Sequence, residues 1–245
     1  MVGMTPTPTS ATSPTQPKQP TPPPLRVVAV SGTLSTPSKT DALVHEIVTA
    51  LGEVLPIEAH VIRVSELGPL FAGALTRDQL DERVERELVA IETADLLIVA
   101  SPVYRASFTG LFKHLFDFVE QYALVDVPVL LAATGGSERH ALIIEHSLRP
   151  LFGFFQALTL PLGVYAHTSD FTATGGADKY AVTAPLLRER IRNAIQRGLP
   201  LIRSSIAEKG RIEQSLDDGG PDDALAADDP RRDDLGAGVP TRLFS

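Results

Sequence analysis

Residues 96–110 read LLIVASPVYRASFTG, an unbroken apolar run that halts at a serine and a proline. A strand with one wet face alternates apolar and polar residues, so a continuous run such as Leu96-Leu97-Ile98-Val99-Ala100 fits a strand buried on both faces. The same pattern recurs at 26–30 (RVVAV), 127–133 (VPVLLAA) and 160–166 (LPLGVYA), with a more mixed extended stretch at 57–64. Between these runs the apolar period changes to that of a helix. Leu43, Ile47, Val48 and Leu51 share one face of a helix over 41–51, and Leu80, Val84, Leu88 and Ile91 share one face of a helix capped by Thr76. Further helices are expected over 108–122, 141–158 and 185–204. Doubly buried strands alternating with helices imply a parallel sheet covered on both sides. Five strands suggest an α/β, flavodoxin-like three-layer sandwich with strand order 2-1-3-4-5, in which ligands bind beyond the carboxyl ends of the strands.

Outward from this unit the composition changes. Residues 1–24 carry eight of the 20 prolines and no acidic residue, and read as a disordered, partly polyproline-like arm. Residues 206–245 read as a disordered acidic tail; from Ala207 on, ten Asp or Glu against five Lys or Arg supply −5 of the net charge of -8. The folded unit is therefore expected over 25–205. The chain has no Cys, which excludes disulfides, thiolate catalysis and thiolate-held metals or clusters. Its negative charge argues against nucleic acid as a partner. No apolar run approaches the length of a membrane span, and no apolar leader opens the chain, so a cytoplasmic location is expected.

Three loops at the expected carboxyl edge can carry chemistry. The first, Ser31-Gly32-Thr33-Leu34-Ser35-Thr36-Pro37-Ser38-Lys39-Thr40, is rich in hydroxyls and opens a helix, whose end amides and dipole favour an anion. It matches neither G-x-x-x-x-G-K-[ST] nor G-x-G-x-x-G, and its hydroxyls suit a terminal monophosphate better than a pyrophosphate. A Ser/Thr-rich turn with an ordinary helix cap fits the same residues. The second loop, Ser101–Gly110, offers backbone donors and the Tyr104 ring to a flat heterocycle, or simply a strand exit with Tyr104 packed on the sheet. The third, Thr134-Gly135-Gly136-Ser137-Glu138, lets a ligand approach the backbone closely, as does many a ligand-free turn.

Together the loops resemble those of the NAD(P)H-dependent FMN reductases. Pro102-Val103-Tyr104 with Gly110, Lys113 and Asp117 is similar to that family's P-V-Y-x-x-x-x-x-G-x-x-K-x-x-x-D stretch, Ala133-Thr134-Gly135-Gly136 to its A-T-G-G turn, and Ser31-Gly32 with Ser38 and Thr40 to its phosphate loop. The resemblance spans roughly 26–200 and is nearest to the reductase components of two-component alkanesulfonate and methanesulfonate monooxygenases. It implies that FMN is reduced by NADH or NADPH and handed to a partner flavin-dependent monooxygenase. Ser31, Thr33, Ser38, Lys39 and Thr40 would then hold the FMN phosphate, and Pro102, Val103, Tyr104, Arg105, Ser107, Thr134, Gly135 and Gly136 the isoalloxazine. The resemblance also implies a homodimer or homotetramer, with the helix around His146 at the subunit interface. Hydride passes between the two cofactors, so no catalytic acid or base is expected from the chain.

Two other readings stay open. One is a quinone or azo reductase that keeps FMN tightly bound. The other is a flavodoxin-type electron carrier, although the first loop is not T-x-T-G-x-T. Pro150 lacks an N–H and its ring collides with the carbonyl of His146, so the helix there must kink or widen, a π-bulge being one solution. His146 is expected to be functional or else partly buried against a carbonyl freed at the kink. The remaining histidines, His45, His60, His114, His140 and His167, are expected to be surface or packing residues. Gly175–Tyr180 reads as a mobile loop over the nicotinamide side or a plain surface loop.

Overall fold

The computed structural model describes residues 23–175 and 180–217, with side chains through 212. The proline-rich arm up to residue 22, residues 176–179 and the acidic tail from 218 lie outside the described residues.

A parallel sheet forms the centre. Its strands are β1 (Leu25–Ser31), β2 (Ile57–Arg63), β3 (Leu96–Pro102), β4 (Pro128–Gly135), β5 (Leu158–Thr159) and β6 (Val164–His167), in the order β2-β1-β3-β4-β5 with β6 also on β4. The flavodoxin-like order expected from the alternation of elements is thus present. The strand period of two explains the three layers. Val28, Val30, Leu97, Val99, Val129, Leu131 and Ala133 point to one face; Val27, Ala29, Leu96, Ile98, Ala100, Leu130 and Ala132 point to the other. The first face packs against α2 (Val64–Phe71), α3 (Glu82–Glu92), α4 (Gly110–Phe116) and α5 (Arg149–Phe154), the second against α1 (Lys39–Gly52) and α6 (Pro185–Asp217).

Several boundaries depart from the sequence expectation, each for a local reason. The helix expected from Thr76 starts at Glu82, because Asp81 is the residue whose carboxylate accepts the Arg83 N–H at 2.8 Å; Thr76 instead precedes a 3₁₀ turn, Arg77–Gln79. α4 ends at Phe116 rather than at 122, since Phe118 and Val119 turn back into the core already filled by Phe112 and Leu115. α2 and the antiparallel pair β7 (Phe171–Ala173) and β8 (Tyr180–Val182) were not anticipated. Gly68 and Pro69 within α2 carry the signature of a loop.

The expected helix over 141–158 is shorter and in two pieces, a π-helix at Ile144–Leu148 and α5, with a separate 3₁₀ turn at Glu138–His140 before them. The Arg149 N–H reaches back to the Ile144 carbonyl, five residues away, which is the widening that Pro150 demands. His146 sits exposed on this π-helix, so the partly buried reading is corrected.

In place of the one fifth strand expected over 160–166, two short strands flank a break at 160–163, β5 before it and β6 after it. Pro161 has no donor for a ladder, and Arg149 fills the break, its Nη1 donating to Thr159 Oγ1 at 2.8 Å and to the Leu160 carbonyl at 3.1 Å.

The last helix, expected over 185–204, runs to Asp217, through the first part of the stretch expected to be a disordered tail. Two contacts anchor the extension under the sheet: Ser205 Oγ donates to the Asp126 carbonyl at 2.9 Å, and Lys209 Nζ to Asp95 Oδ1 at 2.6 Å. Asp95 also accepts from the Arg26 backbone N–H at 3.0 Å and from its guanidinium at 3.2 Å. Burial pushes the Asp95 carboxyl up, but the hydrogen bonds from Arg26 and Lys209 outweigh it and hold the pKa down at about 2. A depressed carboxylate stabilises the fold above its unfolded pKa and loses that contribution as pH falls through the folded one. Asp95→Asn is therefore expected to lower stability by on the order of 1–2 kcal/mol near neutral pH. The gap from wild type should close between pH 3.8 and about 2 in urea unfolding curves. A gap that persists unchanged in acid would mean the loss is not one of charge.

Candidate functional site

β1, β3 and β4 all end at the same sheet edge, and the loops that leave them are tied together by polar contacts. The Gly32 N–H donates to the Ala100 carbonyl at 2.7 Å, and Thr109 Oγ1 donates to the Gly32 carbonyl at 2.8 Å, joining the first loop to the second. The Val103 N–H donates to the Thr134 carbonyl at 2.8 Å, joining the second to the third. The hydroxyls of Thr40 and Thr134 lie 2.7 Å apart, both buried, joining the first to the third. Each of the three loops is thus hydrogen-bonded to the other two.

The first loop ends in a capped helix. Ser38 Oγ accepts the N–H groups of Thr40 at 3.1 Å and Asp41 at 3.2 Å, which caps the helix start. Ser31, Thr33 and Thr40 are buried; Leu34, Ser35 and Thr36 are exposed, and Ser38 and Lys39 are half-buried. The Ser31 hydroxyl donates to the Asp41 carboxylate. Lys39 Nζ stands 5.2 Å from the centre of the Tyr180 ring, a cation–π distance. A cavity of about 520 Å³ borders the outer side of this loop, with Thr36, Ser38, Asp41, His45, Arg63 and Tyr180 in its wall.

In the second loop, Tyr104 and Ser107 exchange backbone hydrogen bonds of 2.8 and 3.0 Å around Arg105 and Ala106, at φ 51° and 65°. Two successive left-handed residues make a tight turn of the I′ kind, a conformation that costs non-glycine residues about 1 kcal/mol each and is held here by the loop contacts around it. The turn presents Tyr104, Arg105 and Ala106 to solvent. Beyond it, Lys113 and Asp117 form an exposed pair one helical turn apart.

The third loop is fastened from β6. Tyr165 Oη donates to the Ser137 carbonyl at 2.5 Å. The Ser169 N–H donates to His167 Nδ1 at 3.2 Å, which leaves the ring proton on Nε2, and Nε2 donates to the Gly136 carbonyl at 2.9 Å. In a trans peptide the N–H points opposite to the C=O. Holding the carbonyls of residues 136 and 137 toward β6 therefore turns the amides of residues 137 and 138 the other way. A Cβ on Gly135 would lie 2.3 Å from Tyr165 Oη and so displace the hydroxyl that fastens the loop, whereas a Cβ on Gly136 would meet nothing within 4 Å. Burial pushes the Tyr165 phenol up, despite its bond to the Ser137 carbonyl, and Asp170 and Glu138 add to that. The described residues also include a buried nitrogen with no partner within the chain, His140 Nδ1, four residues past Gly136.

The NADPH-dependent FMN reductase family matches residues 25–172. That decides the assignment. The chain belongs to the NADPH-dependent FMN reductase family. It is 54% identical over 178 residues to the NADH-dependent FMN reductase SfnF of Pseudomonas fluorescens, covering 73% of this chain and 92% of that one. It is 50% identical over the same length, with the same coverages, to the FMN reductase (NADPH) of Pseudomonas aeruginosa. Among solved structures, an oxidoreductase from Corynebacterium diphtheriae superposes with a TM-score of 0.61 at 34% identity, over 74% of this chain and 98% of the other. As in other members of the FMN reductase family, the cofactors here are FMN and NADH or NADPH.

All thirteen residues that the sequence nominated lie on or flank the three connected loops: Thr33 and Ser38 between the end of β1 (Ser31) and the start of α1 (Lys39, Thr40), Val103 to Arg105 and Ser107 after the last residue of β3 (Pro102), and Gly136 after the end of β4 (Thr134, Gly135). Sequence reasoning overlooked Thr109, Tyr165 and His167. His167, expected to be a surface or packing residue, is instead a fastener of the third loop. The signal was present: Tyr165 and His167 alternate with the buried Val164 and Ala166, and so share the more open face at the strand's carboxyl end.

If the third loop orients a flavin ring, its fasteners matter for binding. His167→Ala should weaken FMN and riboflavin alike, by about fivefold, while His167→Gln, which keeps a donor near the Nε2 position, should restore most of the loss. Flavin fluorescence titration reads both. Equal affinities in the wild type and the alanine variant would remove the loop from the ring site.

Proposed function

We propose that the three loops bind FMN, that this chain reduces it at the expense of NADH or NADPH, and that it passes the reduced flavin to a partner flavin-dependent monooxygenase. The observation that carries the reading is the convergence of the three family-like loops on one sheet edge, where hydrogen bonds join each loop to the other two. The fit is chemical as well as topological. The exposed end of the first loop combines hydroxyls, Lys39 and a helix start, a donor set for a phosphate. Gly136 opens the third loop to close approach, and the amides beyond it suit the electron-rich edge of a flat heterocycle.

Ser38, Lys39 and the start of α1 would hold the phosphate, with Thr33 beneath them; Pro102 to Tyr104, Arg105, Ser107 and Thr134 to Gly136 would hold the ring. Hydride transfer itself is chemistry of the two cofactors. The chain binds, orients and keeps the ring edge in contact with backbone donors, and needs no side-chain acid or base. A reductase that exports its product holds the flavin with modest affinity, since tight binding slows release.

The test is anaerobic oxidation of NADH and of NADPH as a function of added free FMN. Both nucleotides are needed because the named relatives differ in the one they use. Turnover that saturates with free FMN supports the reading. Turnover that needs an added quinone while one FMN stays bound favours the tightly bound reductase, and no flavin bleaching with either nucleotide overturns both. Ser38→Ala should weaken FMN by about tenfold and leave riboflavin almost unchanged; equal losses would dissociate the first loop from the phosphate.

On this reading the protein works as a soluble flavin donor in the cytoplasm, as a homodimer or homotetramer. No helix among the described residues is long and apolar enough to cross a membrane.

A further inference from the structure

We propose that Asp41 is a built-in competitor at the phosphate end of the flavin site, a resident anion that sets FMN affinity low enough for release. The inference rests on the phosphate reading of the first loop given above.

The geometry is specific. Ser38 caps α1, so Asp41 is the third helical residue, inside the first turn where the helix end attracts negative charge. Its side chain folds back to the strand and takes the Ser31 hydroxyl as donor. Ser31 is fully buried, and a hydroxyl has one proton, so Ser31 cannot donate to Asp41 and to an incoming phosphate at once. The attraction of the helix end is likewise already engaged, because a carboxylate stands in it before any phosphate comes.

The charges around Asp41 leave it only partly neutralised. Arg63, at the end of β2, approaches Asp41 Oδ2 with Nε at 3.7 Å. The same guanidinium lies 3.8 Å from Glu66 on α2 and 3.1 Å from His45 Nε2, one turn along α1. One cation is thus divided between two carboxylates. Burial pushes the Asp41 carboxyl up, and Ser31, Arg63 and His45 oppose that while Glu66 adds to it. A phosphate bound at the same helix start adds further negative charge to this group, and like charges within a few ångströms in a partly buried site repel.

An acid in the first turn of a helix also serves helix stability, which would act on every ligand alike. The two roles separate on a ligand pair that differs only in the phosphate. Oxidised FMN and riboflavin are titrated by fluorescence against the full-length wild type, Asp41→Asn and Arg63→Gln. Asn keeps an acceptor for Ser31 and loses the charge. Asp41→Asn is expected to bind FMN about tenfold more tightly, which is about 1.4 kcal/mol, with riboflavin unchanged. Arg63→Gln removes the countercharge and is expected to weaken FMN several-fold, again sparing riboflavin. FMN affinity unchanged or weakened in Asp41→Asn, or equal shifts for both flavins, overturns the proposal. Should Asp41→Asn not fold, Arg63→Gln decides alone: selective loss of FMN supports it, unchanged FMN sinks it. Equal wild-type affinity for FMN and riboflavin is a different failure, that of the phosphate reading itself.

Discussion

Gly32→Ala is expected to cost about 2–3 kcal/mol of stability and at least about thirtyfold in FMN affinity. A Cβ at Gly32 would lie 2.7 Å from Phe112 Cδ2 and 3.2 Å from the Ala100 carbonyl. Neither neighbour can retreat. Phe112 is fully buried, with ring centres of Phe108 and Phe116 at 5.7 and 4.9 Å. The glycine's own N–H and C=O are committed to Ala100 and Thr109. Relief must come from moving the first loop away from the second, which, under the proposed function, would misalign the contacts to the phosphate and to the ring. Urea unfolding and FMN titration of the same variant test both halves. Wild-type stability with wild-type affinity would show that the loops are less tightly joined than their hydrogen bonds indicate.

Phe152→Ala should be more damaging to the fold, by about 3–5 kcal/mol, a large share of the 5–15 kcal/mol typical of a domain. Phe152 is fully buried and meets Phe116 edge-on at 5.0 Å and Phe155 at 6.4 Å. Its removal leaves a cavity between α4 and α5 that backbone hydrogen bonds on both sides prevent from closing. The midpoint of chemical unfolding should fall with its slope unchanged. A loss under about 1 kcal/mol would mean that the aromatic cluster repacks around the gap.

Much of this was legible in the sequence, and the particular residues show why. Strands β1, β3 and β4 announce themselves because burial on both faces demands unbroken apolar runs. The three loops follow, since a parallel sheet places them all at one edge. Pro150 disclosed the widened helix because the loss of one N–H has a fixed steric consequence. What escaped detection was set by contacts distant in sequence. Nothing near Ser205 signals that α6 continues, because its reasons, Asp126 and Asp95, lie 79 and 114 residues from Ser205 and Lys209. Nor does the sequence tell apart the aromatic residues that follow Pro150: Phe152 and Phe155 are buried, whereas Phe154 is 62% exposed. At the site, residue types were readable and hydrogen-bond partners were not. That Ser31 turns toward Asp41, and Thr40 toward Thr134, is a matter of where buried hydroxyls find acceptors once the sheet has formed.

The break between β5 and β6 has a consequence for how the molecule behaves among its own copies. A long, straight outer strand beyond β4 would offer a row of unanswered amides and carbonyls, an open template on which a neighbouring chain could add itself. Here that margin is two residues, then a proline-led step bridged by Arg149, then four residues. The step denies an incoming strand any continuous register, so this lateral margin of the sheet is a poor template for aggregation.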